Sequence, residues 1–305
     1  MDNITHTLTG LALSRAGLGR ATRGATMALV LASNLPDIDL VASVQGSAAY
    51  LEHHRGFTHS IVGAPLLAIA LALLLRILLE GSRVLPLLLC SLGGVAGHLF
   101  MDVWTSYGTR VLSPFDRRWL TWDLVFIVDP YVLMLLAVAV LWKRASPSGP
   151  RIASLGLGLI LSYVGARAVL HAQAIDEATA RLSGRSIQRI AALPSAINPF
   201  AWRVLADTGD AYWSGDLDLR GRTPPLVRRE KHVEDATVAR VRAESEIASL
   251  FLDFSPFPWL EVEKTAEGTE VVWRDLRFER RDRPTFVARV VVGPDGRIRS
   301  QAFRF

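Results

Sequence analysis

The sequence predicts a mainly α-helical fold: a polytopic helical membrane domain over residues 1–170, followed by a soluble α+β domain over residues 171–305. Half of the 305 residues are hydrophobic and the mean hydropathy is positive, at +0.27, which is uncommon for soluble domains. Residues 1–170 hold only 22 of the 63 charged residues. That first part also contains four apolar stretches that approach the roughly 20 residues needed to span a bilayer.

The apolar stretches define the expected membrane domain. They cover residues 61–79, 84–103, 125–142 and 152–170. Two shorter apolar segments, 4–18 and 24–35, precede them. Each is short for a span, so we expect a hairpin that turns at the glycines between the two segments.

Basic residues predict the orientation of these segments. If every apolar segment crosses the membrane, eight Lys and Arg residues fall on the face opposite Met1. The short loops on the face of Met1 hold four: Arg55, Arg110, Arg117 and Arg118. By the positive-inside tendency, the face of Met1 is outward and the 143–151 loop is cytoplasmic. We therefore expect a multi-pass inner-membrane protein whose C-terminal domain is extracytoplasmic.

Composition also excludes some classes of function. The isoelectric point near 9.8 suggests a polyanion partner, but no dense Lys/Arg tract with interleaved aromatics occurs, so we expect no nucleic-acid binding. The single cysteine, Cys90, lies inside an apolar run. This excludes a disulfide within the chain and a cysteine-rich zinc site, and it favours a structural role for Cys90.

Residues 171–305 carry mixed signals. Apolar spacing predicts helices over 176–192 and 235–252. Strands are expected around 259–262, 270–273 and 286–292, and the run Gly293-Pro-Asp-Gly296 predicts a turn into a last strand over 298–305.

Histidines and acidic residues form the most informative pattern. Five of the seven histidines lie in the first 100 residues, at the ends of apolar segments: His6, His53, His54, His59 and His98. His98 and Asp102 are four apart in a predicted helix, so they share one face and are able to bind one ion. Asp37 and Asp39 point to one side if the backbone after Pro36 is extended.

On the predicted topology all these residues fall on the face of Met1, as does Asp129. An ionisable group in hydrocarbon costs on the order of 3 kcal/mol unless it is paired or solvated, and a shared metal ion would offset that cost. For each residue alone a simpler interpretation stands. A histidine at a helix end is most often a hydrogen-bonding residue of the interface, and Asp129 before Pro130 is equally suited to a local turn.

The motifs resemble a known family. The runs Asp2-Asn-Ile-Thr-His6, Leu35-Pro-Asp-Ile-Asp39, His54-Arg-Gly-Phe-Thr-His59-Ser60 and Gly97-His98…Asp102, followed by Ser113-Pro-Phe115, resemble the YdjM-like family of membrane-bound metal-dependent hydrolases. The resemblance covers about residues 1–140, and the chain is similar to the long form with a soluble C-terminal domain. It implies a helical, zinc-type hydrolase. The distant similarity to zinc-dependent phospholipase C carries over only as the step from His98 to Asp102.

Imidazole and carboxylate ligands without thiolates suit Zn, Mn or Fe(II), and the residues suffice for one or two ions. We expect core ligands at Asp37, His54, His59, His98 and Asp102. Further candidate ligands are His6, Asp39, Asp129 and, as the weaker of its pair, His53. Asp39 is also a candidate general base. Arg55 is a candidate for binding a substrate phosphate, and pairing with Asp37 or Asp39 is an equally good interpretation.

A site at the membrane face favours an amphiphilic, lipid-type substrate and contact with membrane lipids. Water activated by the metal would then hydrolyse a phosphoester or another ester. Two other classes stay open. Asp129 and Arg167 within apolar segments are compatible with a metal or proton-coupled transporter, and a closed four-ligand site is typical of a non-catalytic protein with a structural metal.

Overall fold

The computed structural model describes residues 1–142, 148–221, 223–266, 268–279 and 285–304. Helices dominate its N-terminal part: α1 (Asn3–Arg15), α2 (Ala25–Ala32), α3 (Ser47–His53), α4 (Gly63–Leu78), α5 (Val84–Val103), α6 (Pro130–Leu141) and α7 (Gly149–Arg181). Short 3₁₀ helices cover Leu18–Arg20, Leu35–Gln45 and Phe57–His59. The chain divides into two compact units. The first contains Met1–Asp39, Arg55–Gln173 and Pro194–Trp202, and the second contains Leu40–His54, Ala174–Leu193 and Arg203–Phe305.

The apolar segments form helices as predicted, with different lengths. Among the described residues, α5 and α7 are long and apolar enough to cross a membrane, and up to four spans result if two bent helix pairs each count as one. One of those pairs joins Ser47–His59 to α4 with a bend of 70°. Helix α6 has only 12 residues. Lys143 and Arg144, on which the orientation argument partly depends, lie outside the described residues.

Small residues let the first helices approach closely. A Cβ atom on Gly94 of α5 would lie 2.6 Å from the Cβ of Ala32 and 2.9 Å from the carbonyl oxygen of Leu29 in α2. A Cβ on Gly10 of α1 would lie 2.9 Å from the same oxygen. Helices α1 and α5 therefore pack against α2 through glycines, as is common between membrane helices.

The second unit is α+β, as predicted. Its first β-sheet has four strands in the order β1 (Arg189–Pro194), β2 (Ala201–Asp207), β3 (Ala211–Asp218) and β4 (Val227–Glu230). Its second β-sheet has four strands in the order β5 (Pro258–Thr265), β6 (Gly268–Asp275), β7 (Val287–Val292) and β8 (Ile298–Arg304). The second sheet is antiparallel throughout, and helices α8 (Ala236–Glu244) and α9 (Glu246–Phe254) precede it. The turn predicted at 293–296 forms, with the N–H of Gly296 donating to the carbonyl of Gly293.

Two local predictions were wrong, and one sheet was not predicted. Residues 176–192 are not one helix: α7 continues to Arg181, since no Gly or Pro lies between Gly165 and Gly184, and residues 189–194 form a strand. The predicted helix over 235–252 breaks at Ser245, whose side chain caps α9 by accepting from the N–H of Ala248 at 3.1 Å. The first sheet was missed, although Gly209, with φ of 91°, marks the turn from β2 to β3.

Candidate metal centre

Four predicted ligands meet in the first unit. Asp37, His59, His98 and Asp102 each offer one ligand atom, and these atoms all lie within 4.8 Å of one another. His98 and Asp102 come from the end of α5, four residues apart on one face. His59 precedes α4, and the short connection over residues 79–83 brings α5 back alongside α4. The side chains of His59, His98 and Asp102 are fully buried.

The distances suit a tetrahedral ion. Nε2 of His59 lies 3.1 Å from Nε2 of His98. Oδ1 of Asp37 lies 3.4 Å from the first and 3.6 Å from the second, and Oδ2 of Asp102 lies 3.5 and 3.3 Å from them. Ligands at 2.0–2.2 Å from a tetrahedral zinc ion are separated by about 3.3–3.6 Å. These five separations therefore match those expected around a four-coordinate ion.

Hydrogen bonds fix which ring nitrogens carry protons. Nδ1 of His98 lies 2.8 Å from the carbonyl oxygen of Ser33, which only accepts, so this nitrogen is the donor. Nδ1 of His59 lies 3.1 Å from Oδ2 of Asp39 and donates in the same way. When both rings are neutral, their Nε2 lone pairs face each other across 3.1 Å. A cation between them would bind both nitrogens.

One carboxylate oxygen of Asp102 also lacks a hydrogen-bond donor among the described residues. This oxygen, Oδ2, is buried and faces the two Nε2 atoms. Oδ1 of Asp102 is satisfied, since it accepts from the Arg55 guanidinium at 3.0 Å and from the amino group of Met1. A buried carboxylate oxygen without a donor is strongly unfavourable. An ion at the centre of the four ligands would satisfy it.

Asp37 and Asp39 have different positions, which corrects the expectation of an extended backbone. They lie in the 3₁₀ helix Leu35–Gln45, where three residues make a turn and side chains two apart point in different directions. Asp37 consequently reaches the two Nε2 atoms, whereas Oδ2 of Asp39 lies on the Nδ1 side of His59. That oxygen also accepts from the Thr58 hydroxyl at 2.7 Å and from the backbone N–H of Arg55 at 3.0 Å. Asp39 orients His59 in the manner of a carboxylate–histidine–metal arrangement.

Arg55 is buried and pairs with Asp102, not with Asp37 or Asp39 as expected. Its guanidinium lies 4.8 Å from the ring centre of Tyr107, and its backbone adopts φ of 57°. A positive φ is uncommon for a residue other than glycine. This conformation aims the N–H of Arg55 at Asp39 while the side chain reaches Asp102.

His6 joins the same cluster. Its ring stacks on that of His98, with centroids 3.8 Å apart, and its Nε2 lies 3.4 Å from Oδ1 of Asp102. Both ring nitrogens are buried without a hydrogen-bond partner among the described residues. Asp2 caps α1 by accepting from the N–H groups of Ile4 and Thr5, and so sets where this helix starts.

Three other predicted ligands are not among the four that meet in the first unit, and their ligand roles stay predictions. The side chain of His53 is 57% exposed and lies 3.8 Å from Glu52. His54 belongs to the second unit, where its ring stacks on Tyr50. Asp129 caps α6 and accepts from the hydroxyl of Tyr163 at 3.1 Å.

Arg167, the other residue behind the transporter interpretation, also has local partners. Its Nε donates to the carbonyl of Leu124 at 2.8 Å, its Nη1 donates to that of Pro199, and its guanidinium lies 4.0 Å from the Trp202 ring centre. These contacts, like those of Asp129, are typical of structural polar groups.

Sequence reasoning missed the groups that orient the ligands. Thr58 stands within the histidine-rich run, next to His59, so its position was a usable signal. Ser33 contributes only a backbone carbonyl, which no side-chain pattern reveals. Gly63 was also missed: a Cβ there would lie 2.0 Å from the carbonyl oxygen of Phe57, so only glycine lets α4 start against the segment that carries His59.

Comparison with known proteins places this site in a family. The model of the YdjM inner membrane protein family matches residues 1–174, which contain every residue of the cluster. The chain belongs to the YdjM inner membrane protein family. This confirms the resemblance and identifies the chain as a member of an inner-membrane family with apolar helices.

The remaining matches concern the long form of the YdjM-family chain. Residues 237–304 match the YfhP C-terminal alpha/beta plait domain, which covers α8, α9 and the second sheet. The chain is 30% identical over 319 residues to a Bacillus subtilis (strain 168) protein described as uncharacterized protein YfhP, covering 98% of this chain and 94% of that one. No solved structure matches the chain.

Proposed function

We propose that this YdjM-family protein is a metal-dependent hydrolase in which Asp37, His59, His98 and Asp102 bind one divalent ion. The observation that carries the proposal is the buried donor set, with five of its six ligand-atom separations at 3.1–3.6 Å, two Nε2 atoms that face each other and an unsatisfied carboxylate oxygen. Two imidazoles and two carboxylates suit zinc first, then manganese or Fe(II). His6 and Asp39 are the next candidates as ligands, and the metal-bearing face is proposed to be extracytoplasmic.

A bound ion of this kind lowers the pKa of a coordinated water towards 7 and polarises an ester or phosphoester oxygen. Residues of the chain orient the ligand side chains and supply positive charge next to them. Asp39 orients His59, and the carbonyl of Ser33 orients His98. The positively charged guanidinium of Arg55 lies against Oδ1 of Asp102. From this position it would also attract an anionic substrate group. Asp39, which accepts at Oδ2 from the residues around His59, remains the candidate proton acceptor.

Access favours the side of Asp37. Its side chain keeps 9% of its surface exposed, whereas those of His59, His98 and Asp102 have none. A substrate would therefore approach past the 3₁₀ helix Leu35–Gln45, at the end of the apolar helices. This location supports an amphiphilic ester or phosphoester as the substrate class.

Metal content of purified variants tests the proposal. We expect about one zinc per chain after purification in detergent without chelator. Asp102→Asn and His98→Ala should lose the metal, whereas His232→Ala, at an exposed histidine of the C-terminal part, should keep it. Hydrolysis of chromogenic phosphodiesters and fatty-acyl esters should require the metal and disappear in the same two variants. Full metal content in both would show that the ion binds elsewhere.

A non-catalytic role is the second candidate, because four protein ligands complete a tetrahedron, as in structural zinc sites. X-ray absorption of the zinc-loaded protein separates the two. A hydrolase should show an additional oxygen ligand, or a change of the first shell when an inhibitory anion such as vanadate is added. A first shell of four protein atoms that vanadate leaves unchanged would favour the structural role.

A further inference from the structure

A patch of exposed apolar side chains lies beside the metal-bearing segment. Phe57, Ile61, Leu112 and Phe115, here called the loop patch, are 56, 47, 37 and 80% exposed. The backbone holds them together: the N–H of Ile61 donates to the carbonyl of Val111 at 2.8 Å, and the N–H of Phe115 donates to that of Leu112 at 3.0 Å. Several large exposed apolar side chains on two hydrogen-bonded loops are uncommon where a protein faces only water.

The loop patch adjoins two apolar helices, and their position indicates what the patch faces. Ile61 lies two residues before α4 begins, and the loop that contains Leu112 and Phe115 follows the end of α5. Because residues 79–83 connect these helices at their other ends, the patch lies at one end of an apolar helical hairpin. In an inner-membrane protein, that end coincides with the boundary between lipid tails and headgroups.

Neighbouring side chains have the composition of such a boundary. Trp122 is 46% exposed and lies edge-on to Phe100 of α5, with centroids 5.8 Å apart. Arg117 and Arg118 are exposed just beyond Phe115. Tryptophan is enriched where helices leave the bilayer, and arginine beside it attracts anionic headgroups.

We infer that the loop patch is immersed in the lipid bilayer at the headgroup boundary and holds the metal-bearing segment at that depth. The connection is direct, since the N–H of Arg110 donates to the carbonyl of Arg55 at 3.0 Å, four residues from His59. This inference does not depend on hydrolysis. If the proposed function is also correct, the substrate enters the site from the lipid layer.

Spin-label depth measurement tests the immersion. Phe115→Cys and Leu112→Cys would each be labelled with a nitroxide in a Cys90→Ala background, and the protein reconstituted into vesicles of phosphatidylethanolamine and phosphatidylglycerol. Val233→Cys is the matched control, because Val233 is an equally exposed apolar residue (84%) of the C-terminal part. The quantity compared is the ratio of collisions with oxygen to collisions with a water-soluble nickel chelate. We expect this ratio to be several-fold higher at 115 and 112 than at 233.

Two results would overturn the inference. Labels at 115 and 112 that collide with the nickel chelate as often as the label at 233 would place the loop patch in water. Labels that are immobile and inaccessible to both reagents would show that protein covers the patch. Neither result depends on metal content or on activity, so the inference and the proposed hydrolase function fail separately.

Discussion

Replacing Asp39 by asparagine separates a residue that orients a ligand from a ligand itself. Oδ2 of Asp39 accepts from the backbone of Arg55, from the Thr58 hydroxyl and from Nδ1 of His59, at 3.0, 2.7 and 3.1 Å. Asparagine has the same size, so the 3₁₀ helix should still form. It lacks the charge that keeps the His59 proton on Nδ1. If its amide nitrogen faces the ring, the proton moves to Nε2, and His59 no longer offers a lone pair to the ion.

The magnitude follows from the position of Asp39. Loss of a carboxylate that orients a metal-bound histidine typically weakens metal affinity 10- to 100-fold, about 1.4–2.8 kcal/mol. Asp37→Asn removes a proposed ligand atom and should weaken affinity by more than about 100-fold on the same scale. Thr58→Val, which removes one hydrogen bond to Asp39, should have a smaller effect than Asp39→Asn. The loss of metal affinity should thus be largest in Asp37→Asn, smaller in Asp39→Asn and smallest in Thr58→Val.

Competition between the purified protein and a chromophoric zinc chelator measures these affinities. Asp116→Asn is the control, because Asp116 is an acidic residue of the loop after α5 that pairs with Arg118, two residues away. The zinc affinity of this variant should match that of the unaltered protein. Equal losses in Asp39→Asn and Asp37→Asn would make Asp39 a ligand. No loss in Asp39→Asn would refute the orientation of His59 described above.

Other consequences of the structure are open to direct tests. Gly94→Leu adds a side chain at a position where even a Cβ would lie 2.6 Å from the Cβ of Ala32, so it should destabilise the protein by about 1–3 kcal/mol or prevent folding. Gly93→Leu is the control, because a Cβ there would meet open space, and this variant should melt at the same temperature as the unaltered protein. Cys90→Ala should leave the zinc content unchanged, because the buried Cys90 thiol packs near the Leu18 carbonyl, at 3.8 Å; loss of zinc would contradict a structural role. A cysteine at Ser148 in that background should resist impermeant maleimide in intact cells, and rapid labelling would reverse the predicted topology.

The membrane part of the fold was predictable because apolar composition and helix length are local properties. The run over 84–103 became α5 with those bounds. The glycines at which α1, α2 and α5 meet carry no such signal, since closeness between helices depends on partners far apart in sequence. The first sheet was missed for a related reason: its strands are stabilised by pairing with one another, and the alanine-rich run of β1 has no strand preference of its own.

At the site, the spacing of His98 and Asp102 on one helix predicted their shared face, and the short connection between α4 and α5 predicted that His59 would meet them. The relation of Asp37 to Asp39 was not predictable from spacing. Two carboxylates two residues apart face one way in an extended segment and different ways in a 3₁₀ helix. In the observed helix, Oδ1 of Asp37 faces Nε2 of His59, whereas Oδ2 of Asp39 faces Nδ1 of the same ring.

The arrangement around Asp102 also bears on how many ions the site holds. A second ion bridged by Asp102 would need its Oδ1, and that oxygen already accepts from the buried guanidinium of Arg55 at 3.0 Å. Moving the Arg55 side chain aside would leave a buried charge unpaired, which costs about 3–5 kcal/mol. An ion between the four ligand atoms would meet no such obstacle, because Oδ2 of Asp102 lacks a donor among the described residues. Arg55 therefore occupies the position that a second cation bridged by Asp102 would need, and the arrangement argues against Asp102 as a bridging ligand.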